Sequence, residues 1–86
     1  MSTISEITPN GLVAMRGGQI GRYHGRCQIT GRHRVSTYKN LHNGLFVHPK
    51  HADPKQTQFT VWLLGDDGLC RGDKAESIND FVGEAA

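Results

Sequence analysis

The stretch Gly21–Asn40, "GRYHGRCQITGRHRVSTYKN", sets the fold. From Arg22 its residues alternate. Arg22, His24, Arg26 and Gln28 fall on one side, with Tyr23, Gly25, Cys27 and Ile29 on the other. Successive side chains of a strand point to opposite faces, so this period of two reads as a half-buried β-strand with its cations toward water. After Gly31 the alternation resumes, with Arg34, Ser36 and Tyr38 opposing His33, Val35 and Thr37. The two runs form a β-hairpin, and burial selects its register. A two-residue Thr30-Gly31 turn would place Arg32 and Arg34 opposite Ile29 and Cys27 on the apolar face, where an unpaired charge is costly. A three-residue loop, Ile29-Thr30-Gly31, with Gly31 left-handed, pairs Gln28 with Arg32 and Arg26 with Arg34. Like charges opposed across exposed strands cost at most about 1 kcal/mol. The hairpin is therefore expected to carry a single cationic face.

Around this hairpin the chain reads as one domain over residues 1–86, with no repeat and no linker. It is 36% hydrophobic and 21% charged, a globular rather than a disordered balance. Its longest apolar run, Val61–Leu64, falls far short of the ~18 residues that span a membrane. The N-terminus lacks a basic stretch followed by an apolar one, so a cytoplasmic setting is expected. Cys27 and Cys70 are too few for a disulfide framework and are expected as buried apolar side chains.

Thr8-Pro9-Asn10-Gly11 is a turn: Pro fixes φ, and Asn and Gly tolerate the left-handed conformations that come after it. Leu12–Arg16 reads as a strand broken by Gly17-Gly18, and Leu45–His48 as a short strand ended by Pro49. Residues 49–58 read as a surface loop. Gln58–Leu64 alternates Phe59, Val61 and Leu63 against Thr60, Trp62 and Leu64, which predicts a central strand covered on both sides. Gly65–Gly68 turns the chain, and Leu69–Arg71 returns as a short strand. A C-terminal helix is predicted over about residues 74–82. Asp73 would cap it with Glu76 three residues on, Ala75, Ile78, Phe81 and Val82 would form its apolar stripe, and Gly83 would stop it. The expected fold class is α+β: a mostly antiparallel sheet of five to six short strands with one helix.

The net charge of +2 conceals an asymmetry. Residues 1–15 carry −1, residues 16–55 carry +7 and residues 56–86 carry −4, and all five histidines lie in the basic part. Such segregation speaks to partners rather than fold. The sharpest functional expectation is a non-enzymatic nucleic-acid (polyanion) binding protein, with Arg22, His24, Arg26, Arg32, Arg34, Tyr38 and Lys39 on the hairpin face. Arginine forks onto phosphate and tyrosine offers a stacking surface. The rival is a protein-docking regulator or inhibitor, whose target can itself be a nucleic-acid-handling complex. Its contact would be the basic part or the acidic part (Asp66, Asp67, Asp73, Glu76, Asp80 and Glu84), and opposite charges also allow a homodimer.

A third reading is a small ribonuclease, with His33 as general base and Arg32 and Arg34 as phosphate clamp. "GRHRVSTYKN…LFVHPKH" weakly resembles toxin ribonucleases that carry a glycine–histidine motif on a sheet. The resemblance spans only about a third of the chain and lacks the helix those toxins place before the sheet. The balance leans away from catalysis. His48 and His51 are three apart, but nothing pairs them with further ligands, so no metal site is expected. Gly17–Gly21 lacks the Lys-Ser/Thr of a phosphate loop, and no cofactor is expected.

Overall fold

The computed structural model describes residues 4–70 and 78–85. Among them six strands make one antiparallel sheet: β1 (Leu12–Met15), β2 (Ile20–Arg26), β3 (His33–Asn40), β4 (Phe46–Val47), β5 (Thr57–Leu64) and β6 (Phe81–Glu84). β3 is its spine. β5 pairs with β3 along its whole length, from His33↔Leu64 to Asn40↔Thr57. The other edge of β3 is shared end to end by β2 and the short β4. β1 continues the sheet from β2, and β6 lies outside β1. The Phe81 amide donates to the Gly68 carbonyl at 2.8 Å, tying the turn after β5 to β6, so the sheet curls into a half-barrel.

The turns form where their residues demand. Thr8–Gly11 closes through a Gly11 N–H to Thr8 C=O bond of 2.8 Å, with Pro9 at the second position and Asn10 at φ 72° at the third, a type II arrangement. Gly31, Gly44 and Gly68 all take the positive φ their turns require. The inner face holds Val13, Met15, Tyr23, Val35, Leu64 and Phe81, closed by Ile4 and Ile7 from a 3-10 turn, with Trp62 packed against them. As the alternation predicted, His33, Val35 and Thr37 are buried together on that face.

Three expectations about the main elements are corrected; in addition, Leu69 and Cys70, expected with Arg71 in a short strand, lie in none, and Cys27 and Cys70, expected buried, are only partly so. Among the described residues the C-terminal helix predicted over residues 74–82 is absent, and the α+β expectation gives way to a mostly antiparallel sheet. Residues 71–77, and with them Asp73, Ala75 and Glu76, lie outside the described residues. Phe81–Glu84, however, is strand β6 and pairs with Val13, Ala14 and Met15. Among the described residues only 3-10 turns are helical. The spacing of Ile78, Phe81 and Val82 suited a helix, but the open edge of β1 offered backbone hydrogen bonds that an isolated short helix lacks. Asn79 and Asp80 favour a turn at the point where the helix would run, and Asp80 is used there: fully buried, it accepts from the Cys70 amide at 2.8 Å and from Arg16 Nε at 3.2 Å.

The second correction concerns the hairpin register. Arg26 pairs with His33 and Gly25 with Arg34, and four residues, Gln28–Gly31, form the loop between Cys27 and Arg32. The ladder then slips by one residue between Tyr23 and Gly25, where Gly25 sits at φ 98°. This is a β-bulge, and a bulge reverses which face the later residues occupy. Arg22 and His24 stay on the outer face with Ser36 and Arg34, whereas Arg26 turns to the side of His33. Ile29, expected on the apolar face, is instead 95% exposed at the loop tip.

The third concerns β5. Among the described residues it pairs with β3 alone, and only one of its faces is covered. Leu64 is buried and Trp62 donates its indole N–H to Thr37 Oγ1 at 2.9 Å. Phe59 and Val61 stand on the outer face, 64% and 45% exposed. No helix among the described residues is long and apolar enough to cross a membrane.

Candidate functional site

Strands β2, β3 and β5 present an outer face opposite the core. Arg34, Ser36 and Tyr38 of β3 lie across from Leu63, Val61 and Phe59 of β5, and Arg22 lies across from Ser36 on the other side. A cleft of about 420 Å³ opens there, lined by His24, Arg34, Ser36, Tyr38, Phe59 and Val61. Among the described residues that line it there is no carboxylate.

A hydrogen-bond chain fixes the polar side of this cleft. Ser36 Oγ donates to Tyr38 Oη at 3.0 Å. A hydroxyl has one hydrogen, so Ser36 Oγ accepts from His24 Nε2, 2.7 Å away. The Tyr38 hydroxyl, already an acceptor, keeps its own hydrogen to donate outward. With the Arg34 guanidinium in its lining and Arg22 beside it on the same face, the cleft therefore presents donors and positive charge, and suits an anion rich in acceptors. Burial, reinforced by Arg34 and Arg22, holds the His24 imidazole below its ordinary value. Among the described residues the buried Arg22 Nε finds no hydrogen-bond partner. Tyr38 and Phe59 form an aromatic pair, 6.4 Å between centroids at 46°.

The structure separates residues that the alternation had grouped. His24, Arg34 and Tyr38 line the outer cleft, and Arg22 lies on the same face, across from Ser36 and close enough to act on His24. Arg26 donates to the Gly31 carbonyl at 2.9 Å and to Asp66 at 2.8 Å, which commits it to the rim of the inner face. Arg32 is exposed on the hairpin loop, and the Lys39 ammonium sits 4.9 Å from the Phe46 ring centroid.

His33 belongs to a different arrangement. It is 1% exposed, held between Tyr23 Oη at Nδ1 (2.7 Å) and Asp66 Oδ1 at Nε2 (2.8 Å). Burial raises the Tyr23 phenol, with Arg26 opposing that rise. The His33 bond and Arg26 hold the Asp66 carboxyl below its usual range. An imidazole satisfied at both nitrogens and closed from solvent has no route to a substrate proton, so a ribonuclease with His33 as base is not supported by this geometry. Phe59 is the residue that sequence reasoning missed. The alternation put it on one face with Val61, but both faces of β5 are apolar in sequence.

Neither the sequence nor the structure of this chain matches a known protein family, a curated protein or a solved structure.

Proposed function

We propose that this protein is a non-enzymatic nucleic-acid-binding domain whose outer face takes phosphates along Arg22, His24 and Arg34. The observation that carries this reading is the positively charged cleft, with no carboxylate among its described lining residues, beside the Tyr38–Phe59 pair. Arginine forks fit phosphate oxygens, and exposed rings stack on bases. The unbridged Cys27 thiol fits a cytoplasmic setting for it. The test is a fluorescence-anisotropy titration with labelled DNA and RNA at roughly 50 and 200 mM salt. Two cationic contacts to a single strand, from Arg22 and Arg34, give a log–log salt slope of about −1.4, hence a loss of roughly sevenfold over that range. Absence of binding at the lower salt sinks the reading. Docking to another protein is the second reading, favoured by Ile29 and by Leu45, which is 65% exposed at a loop tip. Recovery of a stoichiometric protein partner that survives nuclease treatment would support it.

The cleft also predicts a pH dependence. The unfolded chain holds histidine near its ordinary ~6.5, and folding lowers that of His24. Between the folded and the unfolded value the unfolded state binds more protons, so His24 lowers stability as pH falls through that window. An anion in the cleft offsets the repulsion from Arg34 and Arg22 and raises the value again. Binding then takes up a proton, and affinity is expected to tighten as pH drops from about 7.5 to 6. Titrations of His24→Gln should lose this part of the pH dependence, because glutamine keeps a donor toward Ser36 but does not titrate. An unchanged profile would assign the effect to other histidines.

A further inference from the structure

The outer cleft is one half of a longer groove. A second cleft of about 460 Å³ adjoins it, lined by Leu41, Ala52, Pro54, Thr57 and Gln58, and it shares the walls Tyr38 and Phe59 with the first. The two halves differ in chemistry. The first is cationic and donor-rich. The second has no charged residue among its described lining residues. Asp53, between two of the lining residues' positions, turns its carboxylate back to accept the Lys55 amide at 3.0 Å. The backbone of this loop is satisfied internally, with Gln56 and Thr57 both donating to the Asp53 carbonyl and Leu41 donating to Gln56.

We infer that the groove holds one nucleotide step of a single strand, its phosphate in the cationic cleft and its unstacked base in the neutral cleft against the Tyr38–Phe59 pair. This deepens the nucleic-acid reading above and rests on it. A phosphate and its base are a charged group and a flat, nearly neutral one joined at short range, and the two clefts have that same order and adjacency. Phe59 is mostly exposed although it pairs directly with Tyr38 in the ladder, so its ring serves no core. In a duplex the base faces are covered by their neighbours and cannot reach the rings without unstacking, so the groove selects single strands.

The experiment compares three labelled ligands of about ten nucleotides at fixed low salt: a single strand, its duplex, and an abasic strand that keeps the phosphates without the bases. The wild-type protein is expected to bind the single strand about tenfold more tightly than either of the others. Phe59→Ala should lose about tenfold on the single strand and nothing on the abasic one, whereas Phe59→Tyr should retain the wild-type preference. A thermal melt of each variant confirms that the fold is kept. Equal binding of the abasic and the complete strand, unaltered by Phe59→Ala, overturns the base site and leaves the phosphate reading standing. Binding of none of the three overturns both.

Discussion

Alanine at both Arg22 and Arg34 is expected to weaken nucleic-acid binding by about a hundredfold at low salt, the equivalent of two charge-assisted hydrogen bonds. The salt slope should flatten by about 1.4, since each lost contact to a single strand removes about 0.7. Arg26→Ala should leave affinity within about twofold, the change expected when a charge near but outside an interface is lost. The contrast arises from the bulge. Arg22 and Arg34 lie on either side of Ser36 in the outer sheet, and both act on His24. Arg26 has already been turned to the other side, where the Gly31 carbonyl and the Asp66 carboxylate hold it. Arg22 is half-buried, so Arg22→Gln in the same background separates loss of charge from loss of packing. Equal salt slopes for the wild type and the double variant would remove the cationic cleft from the binding surface. A loss on Arg26→Ala as large as that of the pair would instead move the surface to the Asp66 rim.

How much of the fold is legible in the sequence depends on how local each signal is. The alternation in β3 sorts His33, Val35 and Thr37 from Arg34, Ser36 and Tyr38, because strand geometry alone enforces it. The same rule applied to β2 groups Arg26 with Arg22 and fails, because a single extra residue at His24–Gly25 reverses the faces beyond it. A glycine inside a strand pattern is a signal for such a bulge, and Gly25 carried it. In β5, alternation correctly placed Phe59 with Val61. It could not show which face is covered, since Phe59, Val61 and Leu63 are as apolar as Trp62 and Leu64. That choice is made by the inner face of β3, which offers Thr37, Val35 and His33 to Thr60, Trp62 and Leu64. The tail shows the opposite limit. Helical spacing at Ile78, Phe81 and Val82 is a local pattern, and the unpaired edge of β1, more than sixty residues earlier, overrides it. The candidate cleft is therefore half legible: its cations and Tyr38 are in one readable stretch, while Phe59 and the exclusion of Arg26 depend on pairing.

Replacing His33 by alanine is expected to destabilise the fold by about 3 kcal/mol, through a cavity in the inner face and loss of the partner for the buried Tyr23 hydroxyl. For a chain of this size that corresponds to a fall of roughly 12–24 °C in melting temperature. The acid limb should change with it. Asp66 is held below its ordinary value first by the His33 bond and then by Arg26, so its contribution is present above the unfolded carboxyl value and is lost as pH falls through the folded one. In His33→Ala that contribution shrinks, and the decline in stability below about pH 4 should be shallower than in the wild type. Thermal melts from about pH 3 to 7 measure both effects. The same variant also tests whether the two faces of β3 act independently. His33 faces the core and its neighbour Arg34 faces the outer cleft, so binding measured well below the melting temperature should match the wild type. If affinity falls with stability, the Tyr23–His33–Asp66 chain sets the position of the outer groove as well as the strength of the fold. If it does not, the half-barrel keeps its stabilising polar network on one face and its candidate binding surface on the other.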